Sequence, residues 1–234
     1  MSHPAPDRPA RRFLAPGLVL GLLALAGASP AVRRMLLMPA PACLAGRWHG
    51  CLDTFNGVVL MTLVTLPAAA AVAWVLARRR RAAGVPRAGR TALAEVAMVH
   101  GTVPFLWLIL MPGAGAGAVP GRFSLVPLRD LATMGALGIA GNLLAFAALG
   151  AFAPVRWAAL ASPLRILALG AGCSAVVETA QYVLRLDRVS SVDDVLVNAT
   201  GAVLAGLLTR RWWHTAADTP PAGPRHTPAI STAP

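Results

Sequence analysis

The sequence predicts an all-α fold, a polytopic integral membrane bundle of about six transmembrane helices. One observation is composition: mean hydropathy is +0.63 and 13% of residues are charged, whereas a soluble domain carries about 25%. The other is pattern, because apolar runs long enough to cross a hydrocarbon core of roughly 30 Å recur along the chain. With 234 residues, we expect no separate soluble domain.

Six apolar segments of about 17 to 25 residues are expected to form these helices. They are residues 13–31, 57–77, 91–112, 131–153, 158–182 and 193–209. The first could instead be a secretory signal, since arginines precede it and the small residues 26–29 resemble a cleavage site. Because Pro30 follows directly, we favour a retained helix.

Two other stretches lack apolar periodicity. Residues 210–234 are rich in proline and small polar residues, so they are expected to form a disordered cytoplasmic tail. The glycine-rich stretch 113–121 is expected to be a flexible connection.

The arginines predict the orientation. The chain has no lysine, and its 21 basic residues are all arginine, clustered at the ends of apolar runs. If both termini are cytoplasmic, fourteen arginines lie inside and seven outside. The run Arg78 to Arg81 is read as a stop-transfer signal rather than a lipid-binding site. We therefore expect a multi-pass protein of the cell membrane and no nucleic-acid partner.

The three cysteines do not indicate a metal or cofactor. Cys43 and Cys51 share one loop, and Cys173 lies in an apolar run. No CxxC pair or His/Cys ligand spacing occurs, so no metal and no cofactor are predicted. Cys43 and Cys51 could form a disulfide if their loop lies outside, and the sequence leaves this open.

Four of the nine acidic residues fall inside residues 176–201, around the end of the fifth segment and the start of the sixth. On the fifth helix, Glu178, Gln181 and Arg185 are spaced i, i+3 and i+7, so they share one face. A carboxylate near the membrane is costly when unpaired, which makes Glu178 a candidate functional residue.

The other polar residues of these segments could have structural roles as helix caps, interhelical hydrogen bonds or packing residues. Asp193 and Asp194 occupy the first turn of the sixth helix, where we expect one to cap and the other to join a polar cluster. Asn142 lies near the middle of the fourth helix, so its amide should hydrogen-bond another helix. Asp130 is placed to cap that helix, and His100 is read as a packing residue.

A ligand-binding cluster is therefore predicted at the outer end of the fifth and sixth helices. Its members are Glu178, Gln181, Arg185, Arg188, Asp193, Asp194, Asn198 and Asn142. The opposite charges could instead form an ion-pair latch between the two helices. No serine–histidine–acid set or phosphate-cradling glycine motif occurs, so catalytic residues stay unassigned and enzymatic activity stays open.

Three motifs carry a resemblance to a known family. They are SLVPLRD at 124–130, GNLLAFAALG at 141–150, and Glu-x-x-Gln at Glu178 and Gln181 followed by RVSSVDDVLVNATG at 188–201. Here the chain resembles the VanZ-like family, named for the teicoplanin-resistance protein. The match covers about residues 91–209, a four-helix membrane domain, and leaves 1–90 as an additional pair of helices. Ser124 and Ser191 depart from the family, which usually has asparagine and an acid there.

The resemblance implies a cell-envelope protein associated with low-level teicoplanin resistance. Its expected partners are membrane lipids or a lipid-linked envelope precursor, which the polar cluster would bind or act upon. Two alternatives stay open: a membrane-embedded enzyme that uses Glu178 as acid or base, and a transporter of lipids or small molecules.

Overall fold

The computed structural model describes residues 29–213, which are mainly helical with one pair of short strands. These residues belong to two compact units that divide between Leu66 and Pro67, and each is described by itself. Residues 13–28, most of the first predicted segment, and residues 214–234, most of the predicted tail, lie outside the described residues.

The first unit contains a disulfide-closed loop. Its helices are α1 (Pro30–Leu37), α2 (Ala40–Leu44) and the first turns of α3 (Phe55–Ala82). Cys43 and Cys51 form a disulfide, so the pairing that the sequence left open is present. Near it, Asp53 receives hydrogen bonds from the His49 ring at 2.8 Å and from the backbone N–H of Gly50. These two contacts hold the pKa of the Asp53 carboxyl below its ordinary value.

The second unit contains most of the membrane helices. After the rest of α3, its elements are α4 (Ala88–Ile109), β1 (Arg122–Ser124), α5 (Gly135–Ala145), α6 (Ala147–Arg156), α7 (Pro163–Val183), β2 (Val189–Ser191) and α8 (Val192–Leu208). Among residues 29–213, four stretches are long and apolar enough to cross a membrane: α3, α4, α5 together with α6, and α7. They coincide with the second to fifth predicted segments. Since α8 has only 17 residues, six spans remain a prediction.

The fourth predicted segment is interrupted. It was expected to be one helix over 131–153, but α5 ends at Ala145 and α6 begins at Ala147. Phe146 lies between them with its side chain buried in the core. The prediction that Asp130 caps this helix is wrong, because α5 begins only at Gly135.

Helix α8 packs against α5, α6 and α7 through small residues. A Cβ on Gly201 would lie 2.0 Å from the carbonyl oxygen of Leu143 in α5. A Cβ on Gly150 of α6 would lie 2.1 Å from the carbonyl oxygen of Ala202 in α8. Backbones this close require glycine, as in the small-residue interfaces of membrane helices. This packing brings the polar faces of α5, α7 and α8 together.

Candidate functional site

One end of the second unit is closed by the two strands, and we call it the ladder end. It comprises the C-terminal ends of α4 and α7, the N-terminal ends of α5 and α8, and the connections that include β1 and β2. The strands pair in parallel, with Arg122 opposite Val189 and Ser124 opposite Ser191. We call the opposite end, where α6 and α8 terminate, the arginine end.

Ser191 connects β2 to α8. Its Oγ accepts the backbone N–H of Asp193 at 3.2 Å, which makes Ser191 the N-cap of α8. The same hydroxyl donates to Asp130 Oδ2 at 2.7 Å. The Ser124 and Ser191 hydroxyls hold the pKa of the Asp130 carboxyl below its ordinary value. The prediction that an aspartate caps this helix is therefore wrong, and both aspartates of the first turn make other contacts.

Glu178 lies beneath the strands. Its side chain is near the end of α7, and the residue is 8% exposed. Oε2 accepts the backbone N–H of Ser191 at 3.0 Å, and the backbone carbonyl of Glu178 accepts the Ser190 hydroxyl at 2.7 Å. Among residues 29–213, only Oε2 of this carboxylate receives a hydrogen bond. The second oxygen, Oε1, is left available for another donor.

The charges around Glu178 do not form the latch that the sequence left open. Asp194 is close enough to repel its carboxylate, and Arg188 is close enough to attract it. No arginine of the described part of the chain forms an ion pair with Glu178. The arrangement is a cluster of carboxylates with one nearby cation.

Asn142 and Asp194 connect α5 to α8. The Asn142 side-chain amide donates to Asp194 Oδ1 at 2.6 Å, and it also contacts Met134 Sδ at 3.4 Å. This confirms that the Asn142 amide hydrogen-bonds another helix. Asp194 is partly exposed, so this second carboxylate also belongs to the polar surface near Glu178.

Asp193 instead holds the connection that leads into α5. Oδ2 accepts the backbone N–H groups of Asp130 and Leu131 at 2.8 and 3.0 Å, and Oδ1 accepts that of Leu128. Leu128 has a φ of 66°, a left-handed conformation that is unfavourable for leucine. Asp193 is 1% exposed, and its role is to fix this backbone.

Asn198 and Gln181 have partners on neighbouring helices. Asn198 Nδ2 donates to the Ser174 hydroxyl at 2.8 Å, joining α8 to α7, and both residues are buried. Asn198 Oδ1 is buried without a hydrogen-bond partner among residues 29–213. Gln181 Nε2 donates to the carbonyl oxygen of Ile109 at 3.0 Å, which closes the end of α4 against α7.

The two predicted arginines differ. Arg188 donates to the carbonyl oxygens of Leu108 and Met111 at 3.4 Å each, so its guanidinium caps the end of α4 near the carboxylates. The Arg185 side chain makes no hydrogen bond or ion pair within the described chain. Only its backbone is used: its N–H donates to the carbonyl of Tyr182, and its carbonyl accepts the N–H of Gly117. The structure therefore brings Arg188 to the cluster and gives no such role to Arg185.

Sequence reasoning missed the role of Asp187. Its Oδ2 accepts the N–H of Gly115 at 3.0 Å, and its Oδ1 lies 3.4 Å from the Arg122 guanidinium. The stretch 113–121 is thus a hydrogen-bonded loop rather than the free connection that its glycines predicted. The signal was available, because Asp187 is one of the four clustered acids.

Glu95 was missed as well. It lies in α4 toward the arginine end and pairs with Arg80 at 2.6 Å and with Arg156. The sequence offers one signal for this role, because Glu95 is the single acid between Asp53 and Asp130 while arginines are abundant. One carboxylate thus joins the ends of α3 and α6 to α4.

Comparison with known proteins gives one positive result. No curated protein and no solved structure matches the chain. The profile of the VanZ/LLP1 family matches residues 92–213, which is just over half of the chain and covers most of α4 and all of α5 to α8. Together with the apolar helices, this match identifies a membrane protein of the VanZ type. The chain belongs to the VanZ/LLP1 family.

Proposed function

We propose that the protein binds the polar part of an envelope lipid or a lipid-linked envelope precursor at the ladder end. Binding there would lower the sensitivity of the cell to glycopeptides such as teicoplanin. In this proposal the protein lies in the cell membrane with both termini in the cytoplasm, so the ladder end faces the outer leaflet.

The arrangement of Glu178 and Asp194 carries the proposal. Two carboxylates lie on adjoining helices near the membrane boundary, and neither forms an ion pair with a described arginine. If these carboxylates had only a structural role, each would be paired with a cation, because burying an unpaired carboxylate costs roughly several kcal/mol of folding free energy. A ligand that donates hydrogen bonds would compensate these carboxylates.

The chemistry of the cluster favours a ligand with hydroxyl or amine groups beside a phosphate. Carboxylates accept hydrogen bonds from hydroxyl and ammonium groups, and Arg188 supplies a cation that suits a phosphate oxygen. A lipid-linked molecule fits this combination, because its chain would stay among the apolar helices while its polar part meets the cluster.

One observation also favours an enzymatic alternative. Glu178 has one carboxylate oxygen without a described partner and lies in a largely dehydrated position. A carboxyl group in this setting can act as a general acid or base if a reacting hydroxyl reaches it. Formation of a new lipid product by purified protein in detergent would separate this activity from binding alone.

The experiment compares Glu178→Gln with wild type in a deletion strain. The amide keeps the size and the acceptor for Ser191 but removes the charge. We expect teicoplanin resistance to disappear while membrane abundance and thermal stability stay near wild type. Asp187→Asn is the matched control, since it makes the same chemical change at a carboxylate that binds the loop, and it should retain resistance.

Two outcomes would contradict the proposal. Full resistance of Glu178→Gln at wild-type protein levels would show that the Glu178 carboxylate is not needed for resistance. Depletion of Glu178→Gln, with recovery in a double variant that adds Arg188→Gln, would identify an ion-pair latch. Lipids extracted from purified wild type and Glu178→Gln provide the direct readout, because a lipid held by the cluster should be reduced in the variant.

A further inference from the structure

A second candidate site lies at the arginine end, away from the carboxylate cluster. A cavity of about 250 Å³ opens between α4, α6 and the residues that follow α8. Its apolar walls include Leu93, Ala94, Phe152 and Val155, and Arg90 also lines it. The cavity therefore combines an apolar interior with a permanent cation.

The surrounding charge is strongly positive. Glu95 is already shared by Arg80 and Arg156, so it is not free to neutralise another arginine. The sequence contains no further acid between Asp53 and Asp130. The Arg90 side chain forms no hydrogen bond or ion pair with the described residues. An anion from outside the protein would complement this cation.

An aromatic residue and a second arginine lie beside the cavity. Trp212 lines the cavity directly after α8, and the Arg211 guanidinium lies 4.5 Å from the centre of its ring. Tryptophan is enriched where the hydrocarbon core meets the headgroups, and basic residues attract anionic headgroups there. A tryptophan and arginines beside apolar walls are therefore the combination expected where a lipid phosphate meets its acyl chains.

We propose that this cavity binds an anionic phospholipid of the adjoining leaflet. The phosphate lies at Arg90, with Arg211 as a second cation, and an acyl chain lies against Leu93 and Phe152. A topology signal needs only charge at a helix end. Such a signal does not require that an unpaired arginine line an apolar cavity. Arg90 lines the cavity, whereas the neighbouring run Arg78 to Arg81 does not.

The test measures lipid retention by the full-length protein with native mass spectrometry. The probes are phosphatidylglycerol and phosphatidylcholine with identical chains. We expect wild type to retain phosphatidylglycerol preferentially and Arg90→Gln to retain it about fivefold less, the effect of one arginine near an anionic surface. Arg79→Gln is the matched control because it removes the same charge from an exposed position outside the cavity. Equal losses in both variants, or equal retention of the two lipids, would overturn the proposal.

A second pair of measurements separates a lipid from free phosphate. Leu93→Ser removes an apolar wall at a position that is 58% exposed, so the fold should persist while phosphatidylglycerol retention falls. Glycerol 3-phosphate should not displace the lipid at millimolar concentration; displacement would identify a soluble-phosphate site and reject the lipid. Teicoplanin resistance reports on the ladder end, whereas the difference in phosphatidylglycerol retention between Arg90→Gln and Arg79→Gln reports on the cavity. Failure here is therefore distinguishable from failure of the function proposed for the ladder end.

Discussion

Asn142 donates a 2.6 Å hydrogen bond to Asp194, and this contact links α5 to the first turn of α8 at the ladder end. It is charge-assisted if Asp194 is ionised, and such contacts are stronger than those between neutral groups. The bond fixes the position of one carboxylate without supplying a positive charge. It therefore orients Asp194 and leaves its charge available to a ligand.

The first prediction is an energetic coupling between these two residues. A double-mutant cycle with Asn142→Ala and Asp194→Ala should give a coupling of about 0.6 to 1.7 kcal/mol, the range for hydrogen bonds between membrane helices. Thermal or denaturant unfolding of purified protein provides the measurement. Asn142→Ala combined with Thr200→Ala is the control, since Thr200 donates only within α8. Coupling near zero for the Asn142 and Asp194 pair would contradict the contact.

The second prediction separates Asp193 from its neighbour. Asp193→Ala removes the acceptor of three backbone N–H groups, so residues 128–131 should exchange their amide hydrogens much faster than in wild type. Exchange in the middle of α7 should be unchanged, because the helices retain their packing. Asp187→Ala is the matched comparison and should accelerate exchange in 113–117 instead. Faster exchange throughout α5 to α8 would show that Asp193 supports the whole bundle.

The third prediction concerns the glycine interface of α8. Gly201→Ala places a methyl group against the Leu143 backbone, which cannot move as a flexible side chain could. We expect a loss of about 3 kcal/mol, at the upper end of overpacking costs, and reduced membrane abundance. Gly172→Ala is the control, because an added Cβ there meets nothing within 4 Å. That control should be neutral or stabilising by about 0.4 to 1 kcal/mol, and equal damage from both changes would contradict the packing.

The fourth prediction concerns orientation in the membrane. Single cysteines at Val189 and Ala83, in a Cys173→Ala background, both occupy exposed positions. The arginine distribution predicts that an impermeant thiol reagent added to intact cells labels Val189→Cys and not Ala83→Cys. Lysed cells should show labelling at both positions. The reverse pattern in intact cells would place the ladder end in the cytoplasm and exclude direct contact with an extracytoplasmic precursor.

The helices were largely predictable because their signal is local. Apolar length alone located the second to fifth segments, and α8 coincides closely with the predicted segment 193–209. The interruption at Phe146 was not predictable, since Ala145 and Ala147 on either side are good helix formers. The ring of Phe146 packs into a core built from other helices, and this tertiary contact has no local signature.

The membership of the candidate site was predicted better than its contacts. Helical spacing placed Glu178, Asp194 and Asn198 on faces toward other helices, as the structure has them. The role of Ser191 depends on the parallel pairing of β2 with β1, which is distant in the chain. Helical periodicity, on which the sequence reasoning relied, does not reveal such a pairing. Sequence reasoning consequently assigned capping to an aspartate. It also assigned both Arg185 and Arg188 to the binding cluster. The backbone at Arg185 is left-handed, and only the Arg188 side chain contacts the end of α4 near the carboxylates.

The parallel pairing of β1 with β2 has a consequence for biogenesis. A hairpin could close as soon as it emerged from the ribosome, but parallel strands need an intervening crossover, supplied here by α5, α6 and α7. Ser191 follows that crossover in the chain, so its contact with Glu178 can form only after α5, α6 and α7 have been synthesised. A nascent chain arrested before β2 therefore contains Glu178 and Asn142 without Ser191 and Asp194, so the hydrogen bonds that join these residues in the complete protein are absent. The complete arrangement of polar contacts at the ladder end therefore forms only after β2 and α8 have joined the other helices.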